Sequence, residues 1–137
     1  RNTFGRLANQ LADEGQNEKA IAVLDKGMEI MPEEKFEFNY FIFGMIEGYY
    51  KAGANDKAKA LVDLFADRLD EELAYYAQFK GSDREMIQQE TRTSASYYQM
   101  LFRMVQQYEY TGQNMQDLQN SEFYKRYQNA LRPLGMA

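Results

Sequence analysis

The stretch LADEGQNEKA (residues 11–20) reads as the end of one helix followed at once by the start of another. Gly15 supplies the left-handed backbone position at which helices stop. Asn17, two residues on, is a residue type favoured as the N-cap of a following helix. The same signal recurs in YYKAGANDKA (49–58), around Gly53 and Asn55, and in YEYTGQNMQD (108–117), around Gly112 and Asn114. Four residues before each glycine stands a large apolar or aromatic residue, Leu11, Tyr49 or Tyr108. The first two copies continue alike, with Glu18-Lys19-Ala20 and Asp56-Lys57-Ala58. A stop-and-start signal written three times predicts a repeated helical hairpin, and repetition on this scale decides a fold.

The helices follow outward from these turns. Phe4, Leu7, Ala8 and Leu11 are spaced for a first helix over residues 3–14. Ala20, Ile21, Leu24 and Met28 line a second, which Pro32 is expected to end. A third spans about Lys35 to Ala52 and is apolar nearly all round, the mark of a helix buried between neighbours. Within it, Gly44 and Gly48 lie four apart on one face and predict close approach of another helix or a ligand. Glu47 is expected to meet water or a cation. A long helix runs from an Asn55 cap to about Lys80, with Ala58, Leu61, Val62, Phe65, Leu69, Leu73 and Tyr76 in register. Gly81 breaks it. Ser82 and Glu85 have capping-box spacing for another long helix to about Tyr110, whose polar middle (88–96) reads as solvent-facing or partly broken. Ser121 is positioned to cap a last helix holding Tyr124, Tyr127 and Leu131 to Leu134. No strand alternation is found. The expected fold class is all-α, antiparallel hairpins with about six helices in one domain, in units of about 1–34, 35–80 and 83–134.

Composition narrows the chemistry. The 137 residues suffice for one domain with a sizeable core. With 16 Lys and Arg against 21 Asp and Glu the net charge is −5, a poor match for a nucleic-acid backbone. There is no Cys and no His, which removes thiol nucleophiles, thiolate and imidazole metal sites and the commonest general base. Asp63, Asp67 and Glu71 share a helix face, which is read as a solvated acidic stripe with no second ligand type beside it. No cofactor, metal or catalytic residue is expected. No apolar run is long enough to span a bilayer. The chain opens on Arg1 directly into a helical pattern and is read as a piece of a longer protein.

Residues 1–34 resemble a tetratricopeptide repeat (TPR), a unit of about 34 residues and two helices. Phe4, Leu7, Ala8 and Leu11 match its first helix, Gly15 its turn, Ala20, Leu24 and Gly27 its second helix, and Pro32 its close. A second unit matches at Ile42, Met45, Ile46, Tyr49, Gly53, Ala58, Val62 and Phe65, but Asp70 replaces the closing Pro. A third matches at Leu101, Met104, Val105, Tyr108 and Gly112 and departs at Asp117. The glycines at 15, 53 and 112 are 38 and 59 residues apart, so the later units carry overlong helices. The phrase NTFGRLANQLADEGQNEKAIAVLDKGMEIMPEEKFEFNYF (2–41), followed by GYYKAG (48–53), also resembles the carboxy-terminal soluble part of large bacterial multi-spanning membrane proteins. Those are related to lipid-linked-sugar-dependent protein O-mannosyltransferases.

The TPR resemblance implies a right-handed superhelical array that binds through a concave face lined by the first helix of each unit. Mapped here, that face carries Asn9, Tyr40, Phe43, Tyr50, Phe102, Arg103, Gln106 and Tyr110. Tyr and Arg are strong interface anchors. Phe43 and Phe102 read equally as core, whereas a Tyr hydroxyl prefers one wet end. A carboxylate clamp of the kind some TPR modules carry is disfavoured by Glu47 on the same face. The expected function is a non-catalytic protein–protein interaction or scaffolding module, holding a protein or peptide or other domains of its own parent chain. The membrane-protein resemblance implies a soluble appendage, on the periplasmic side, touching the membrane only through parent segments. The alternative it implies is an accessory part of a membrane glycosyltransferase that contributes to acceptor binding. Self-association through the overlong helices is a third reading.

Overall fold

The computed structural model describes residues 2–30, 40–110 and 119–136. The expected stop at Pro32, the Tyr40 side chain and the third turn at Gly112 to Asn114 lie outside the described residues. Seven α-helices form among them, with no strand: α1 (Asn2–Asp13), α2 (Asn17–Ile30), α3 (Tyr40–Lys51), α4 (Asn55–Tyr76), α5 (Ser82–Met86), α6 (Gln88–Glu109) and α7 (Glu122–Leu131), then a 3-10 turn over Arg132–Leu134. Contacts group into two compact units, Arg1–Phe65 and Ala66–Ala137. The division falls inside α4 rather than at the edge of a hairpin. Among the described residues no helix is long and apolar enough to cross a membrane.

In the first unit both predicted turns form, and they form alike. Gly15 has φ 81° and Gly53 φ 83°. Gly15 N–H donates to Ala12 O (3.0 Å) and Gln16 N–H to Leu11 O (2.8 Å). Gly53 N–H donates to Tyr50 O (3.1 Å) and Ala54 N–H to Tyr49 O (2.9 Å). This pair of bonds is the Schellman arrangement, which satisfies carbonyls that a helix end leaves open. The next helix starts one residue earlier than its asparagine suggests. Ala20 N–H bonds Gln16 O and Ala58 N–H bonds Ala54 O, both at 3.0 Å, so Gln16 and Ala54 are the half-in residues. Asn17 and Asn55 are first helical residues, not caps. A Cβ at Gly53 would meet nothing within 4 Å, so only backbone conformation opposes one. Gly53→Ala is therefore expected to cost about 1 kcal/mol, the left-handed penalty of a Cβ. An unchanged urea midpoint would refute that account.

Helix α1 packs on α2 and α3, and α2 on α3. Small residues set the spacing. A Cβ on Gly5 would lie 3.3 Å from the carbonyl carbon of Gly44, so the α1 and α3 backbones touch there. A Cβ on Gly48 would lie 3.1 Å from Leu24 Cδ1 and 3.5 Å from Ala8 Cβ. The close approach expected at Gly44 and Gly48 is thus made by neighbouring helices. Ala8, Ala20 and Ala58 are completely buried, as close crossings require. Around them Leu24, Ile42, Phe43, Met45, Ile46, Val62 and Phe65 form the core, with the Phe43 and Phe65 rings 5.1 Å apart.

The second unit departs further from expectation. Helix α4 ends at Tyr76 instead of near Lys80. Gly81 takes φ 60°, and Ser82 becomes the first residue of α5, with no side-chain cap bond. The expected capping box with Glu85 does not form, because a capping hydroxyl must precede the helix. The long helix expected from Asp83 to Tyr110 is two, divided at Ile87 (φ −102°, ψ 13°). Ser121, by contrast, caps α7 as expected, accepting from Tyr124 N–H at 3.2 Å. The core here is Leu69, Leu73, Ala95, Tyr98, Leu101, Val105 and Leu131.

Candidate functional site

Each unit contains a tyrosine, an aspartate and a cation drawn from three helices. In the first, Tyr49 (α3) donates its hydroxyl to Asp25 (α2) at 2.7 Å, and Lys57 (α4) holds the other carboxylate oxygen at 2.6 Å. In the second, Tyr98 (α6) donates to Asp70 (α4) at 2.7 Å, and Arg126 (α7) holds the other oxygen at 2.8 Å while also pairing with Asp67. Both tyrosines are buried in the core. Their hydroxyls are held protonated well above the ordinary tyrosine value by burial first, then by the bond to the aspartate. The chemistry is a tie between helices: a buried hydroxyl must find an acceptor, and the carboxylate that accepts it is held in turn by a cation.

Asp25 shows which force wins. Burial raises its pKa, but the hydrogen bonds from Lys57 and Tyr49 outweigh burial and bring it below the ordinary 3.8. A carboxylate whose folded pKa is depressed stabilises the fold above its unfolded pKa and loses that contribution as pH falls through the lower folded value. The exposed Lys57 part is worth at most about 1 kcal/mol. Asp25→Asn should accordingly lose less stability than the parent between about pH 5 and pH 2. Equal acid sensitivity would mean that the tie carries no charge-dependent energy.

The second unit also holds a half-exposed aromatic cluster with Phe102 at its centre. Phe102 lies 5.5 Å from Tyr127 with planes 3° apart, 6.4 Å from Phe123 with planes 8° apart, and 5.3 Å from Tyr124. Tyr98 meets Phe123 and Tyr127 edge-on from the core side. Gln128 Nε2 donates to the Tyr124 hydroxyl at 2.7 Å. Arg103 beside Phe102 is exposed. Its charge opposes the upward shift that burial and Tyr124 impose on the Tyr127 hydroxyl. The opposite face of α7 borders an open groove of about 530 Å³, where Lys125, Asn129 and Ala130 face Asp70 and Ala74 of α4.

The expected concave-face residues meet different fates. Phe43 and Tyr50 are each 5% exposed and belong to the first unit's core. The wet end expected for the Tyr50 hydroxyl is not found, because α3 is covered by its neighbours. Asn9 works inside the fold: its Nδ2 donates to Gly5 O (2.7 Å) and Gly44 O (3.2 Å) across the α1–α3 crossing. Phe102, Gln106 and Tyr110 are half-buried and Arg103 is exposed, all on α6 or its end. Glu47 finds a cation as expected, Lys51 at 3.3 Å, which also reaches Asp13 at 3.4 Å. The acidic stripe is exposed at Asp63, Asp67 and Glu71, and Asp67 pairs with Arg126. Among the described residues no group of three acidic, His or Cys side chains is arranged to hold a metal. The two ties were missed from sequence, because their partners lie 24 to 59 residues apart. No family model, curated protein or solved structure matches this chain.

Proposed function

We propose that the chain is a TPR-like array of helical hairpins acting as a non-catalytic interaction or scaffolding module, as the soluble appendage of a larger bacterial membrane protein. It binds a polypeptide on the α6 face of its second unit. The carrying observation is the half-exposed Phe102 cluster, where parallel rings stand beside the exposed Arg103. Half-exposed aromatic rings next to an arginine are the side chains that dominate protein interfaces. The twin tyrosine–aspartate–cation ties support the repeat reading. Each joins the second helix of one hairpin to both helices of the next, with Asp25 or Asp70 on the first of these and the tyrosine and cation on the others.

Selection from a random peptide display library tests this. Enriched peptides should carry an apolar or aromatic anchor near an acidic residue. Phe102→Ala and Arg103→Glu should each weaken their binding at least about tenfold, the loss of one hot spot, while helix content stays unchanged. Failure to enrich any peptide, or binding indifferent to both substitutions, would overturn the proposal.

A further inference from the structure

Helix α5 buries none of its residues. Its last residue, Met86, is 79% exposed, the most exposed of the large hydrophobic residues described. The other described methionines are progressively better covered. Met136 is 42% exposed, Met28, Met100 and Met104 are half-buried, and Met45 is completely buried. One thioether therefore stands mostly in water while another is sealed in a core.

A thioether is oxidised where an oxidant can reach it, and the product is a polar, chiral sulfoxide. Reach and consequence favour the same residue. Dissolved peroxide meets the Met86 side chain without any opening of the fold. The polar product stays hydrated there, and α5 has no buried side chain to displace. Met45 is the opposite case. Peroxide reaches it only when the first unit opens, and a sulfoxide there would be stranded among apolar neighbours.

We propose that Met86 is a reversible oxidation site, which takes an oxygen atom from hydrogen peroxide while the fold stays intact. The S–O bond forms as the O–O bond of the peroxide breaks. The proton on the transferred oxygen passes to the departing hydroxide, which leaves as water. The thioether is oxidised to the sulfoxide and the peroxide is reduced. Exposure serves the return step as well, because a methionine sulfoxide reductase must take the side chain into its own active site. With a dithiol as reductant, the oxygen leaves as water and a disulfide forms. This chemistry is independent of peptide binding at the Phe102 face.

Treating the intact chain with dilute hydrogen peroxide, then mapping its peptides by mass spectrometry, gives an oxidation rate for each methionine. Met86 should be the fastest of the described methionines, and at least about tenfold faster than Met45. The chain oxidised at Met86 alone should keep the parent's helix content and urea midpoint. A pair of reductases, one for each sulfoxide epimer, should restore the thioether with dithiothreitol as electron donor. Met86→Leu should remove this fastest oxidation and leave the rates at Met45 and Met136 unchanged. Met86 oxidised no faster than Met45 or Met136 overturns the proposal. So does a chain that unfolds once Met86 alone is oxidised, or a sulfoxide that the reductases cannot return.

Discussion

Replacing Phe65 with alanine is expected to cost about 3–5 kcal/mol, the range for deleting a buried aromatic ring that the surroundings cannot refill. Phe65 is completely buried and lies near the middle of α4, at the end of the first compact unit. Its ring packs against Phe43 at 5.1 Å, tilted 42°. The cavity would be lined by Phe43, which α3 holds in place. Moving α3 to fill it would give up the backbone contact with α1 at Gly5 and Gly44. A domain of this size is stable by about 5–15 kcal/mol in all, so about a fifth or more of that stability is at stake. Urea denaturation of parent and variant measures the difference. A loss below about 1 kcal/mol would mean that the ring is not packed as described.

Asp70→Ala comes next, at about 2–3 kcal/mol, the cost of leaving a buried hydroxyl unpaired together with a weakened arginine. The carboxylate accepts from Tyr98 Oη at 2.7 Å and Arg126 Nε at 2.8 Å. Tyr98 is completely buried in the parent chain, and its hydroxyl loses its acceptor with the carboxylate. Arg126 keeps Asp67 and some exposure, which holds the cost below that of breaking a fully buried ion pair. Asp70→Asn separates the two contributions. It returns an acceptor to Tyr98 and removes only the charge, so it should recover roughly half of the loss. The test is thermal or urea unfolding of all three chains. Asp70→Ala within about 0.5 kcal/mol of the parent would discard the tie as a source of stability.

Asp70 and Tyr98 also illustrate why half of the candidate site was invisible in the sequence. Helical spacing places Asp70 beside Leu69 on α4, where an acidic residue reads as one more solvated charge. Nothing within a turn of it names a tyrosine 28 residues on or an arginine 56 residues on. At the Phe102 end of the expected face, Phe102 is half-buried and Arg103 exposed, adjacent residues whose placement on α6 follows from helical spacing. The Tyr50 end was not legible. Helix α3 is apolar on nearly every side, so periodicity alone does not say which side faces water.

The sequence by itself determined the helix stops at Gly15 and Gly53, the small residues at the helix crossings, the Ser121 cap and the all-α class. These rest on interactions within about five residues, or on a periodicity carried by one helix. Tertiary structure alone decided that Phe43 and Tyr50 are core, that Asn9 bridges two helices, and that Asp25 and Asp70 each bind a tyrosine and a cation. It also decided where α6 begins, at Gln88 after Ile87 rather than after the serine whose spacing invited a cap. The physical reason is the same in each case. Burial and long-range pairing depend on which neighbours cover a side chain, and those neighbours are brought together only by the packed fold.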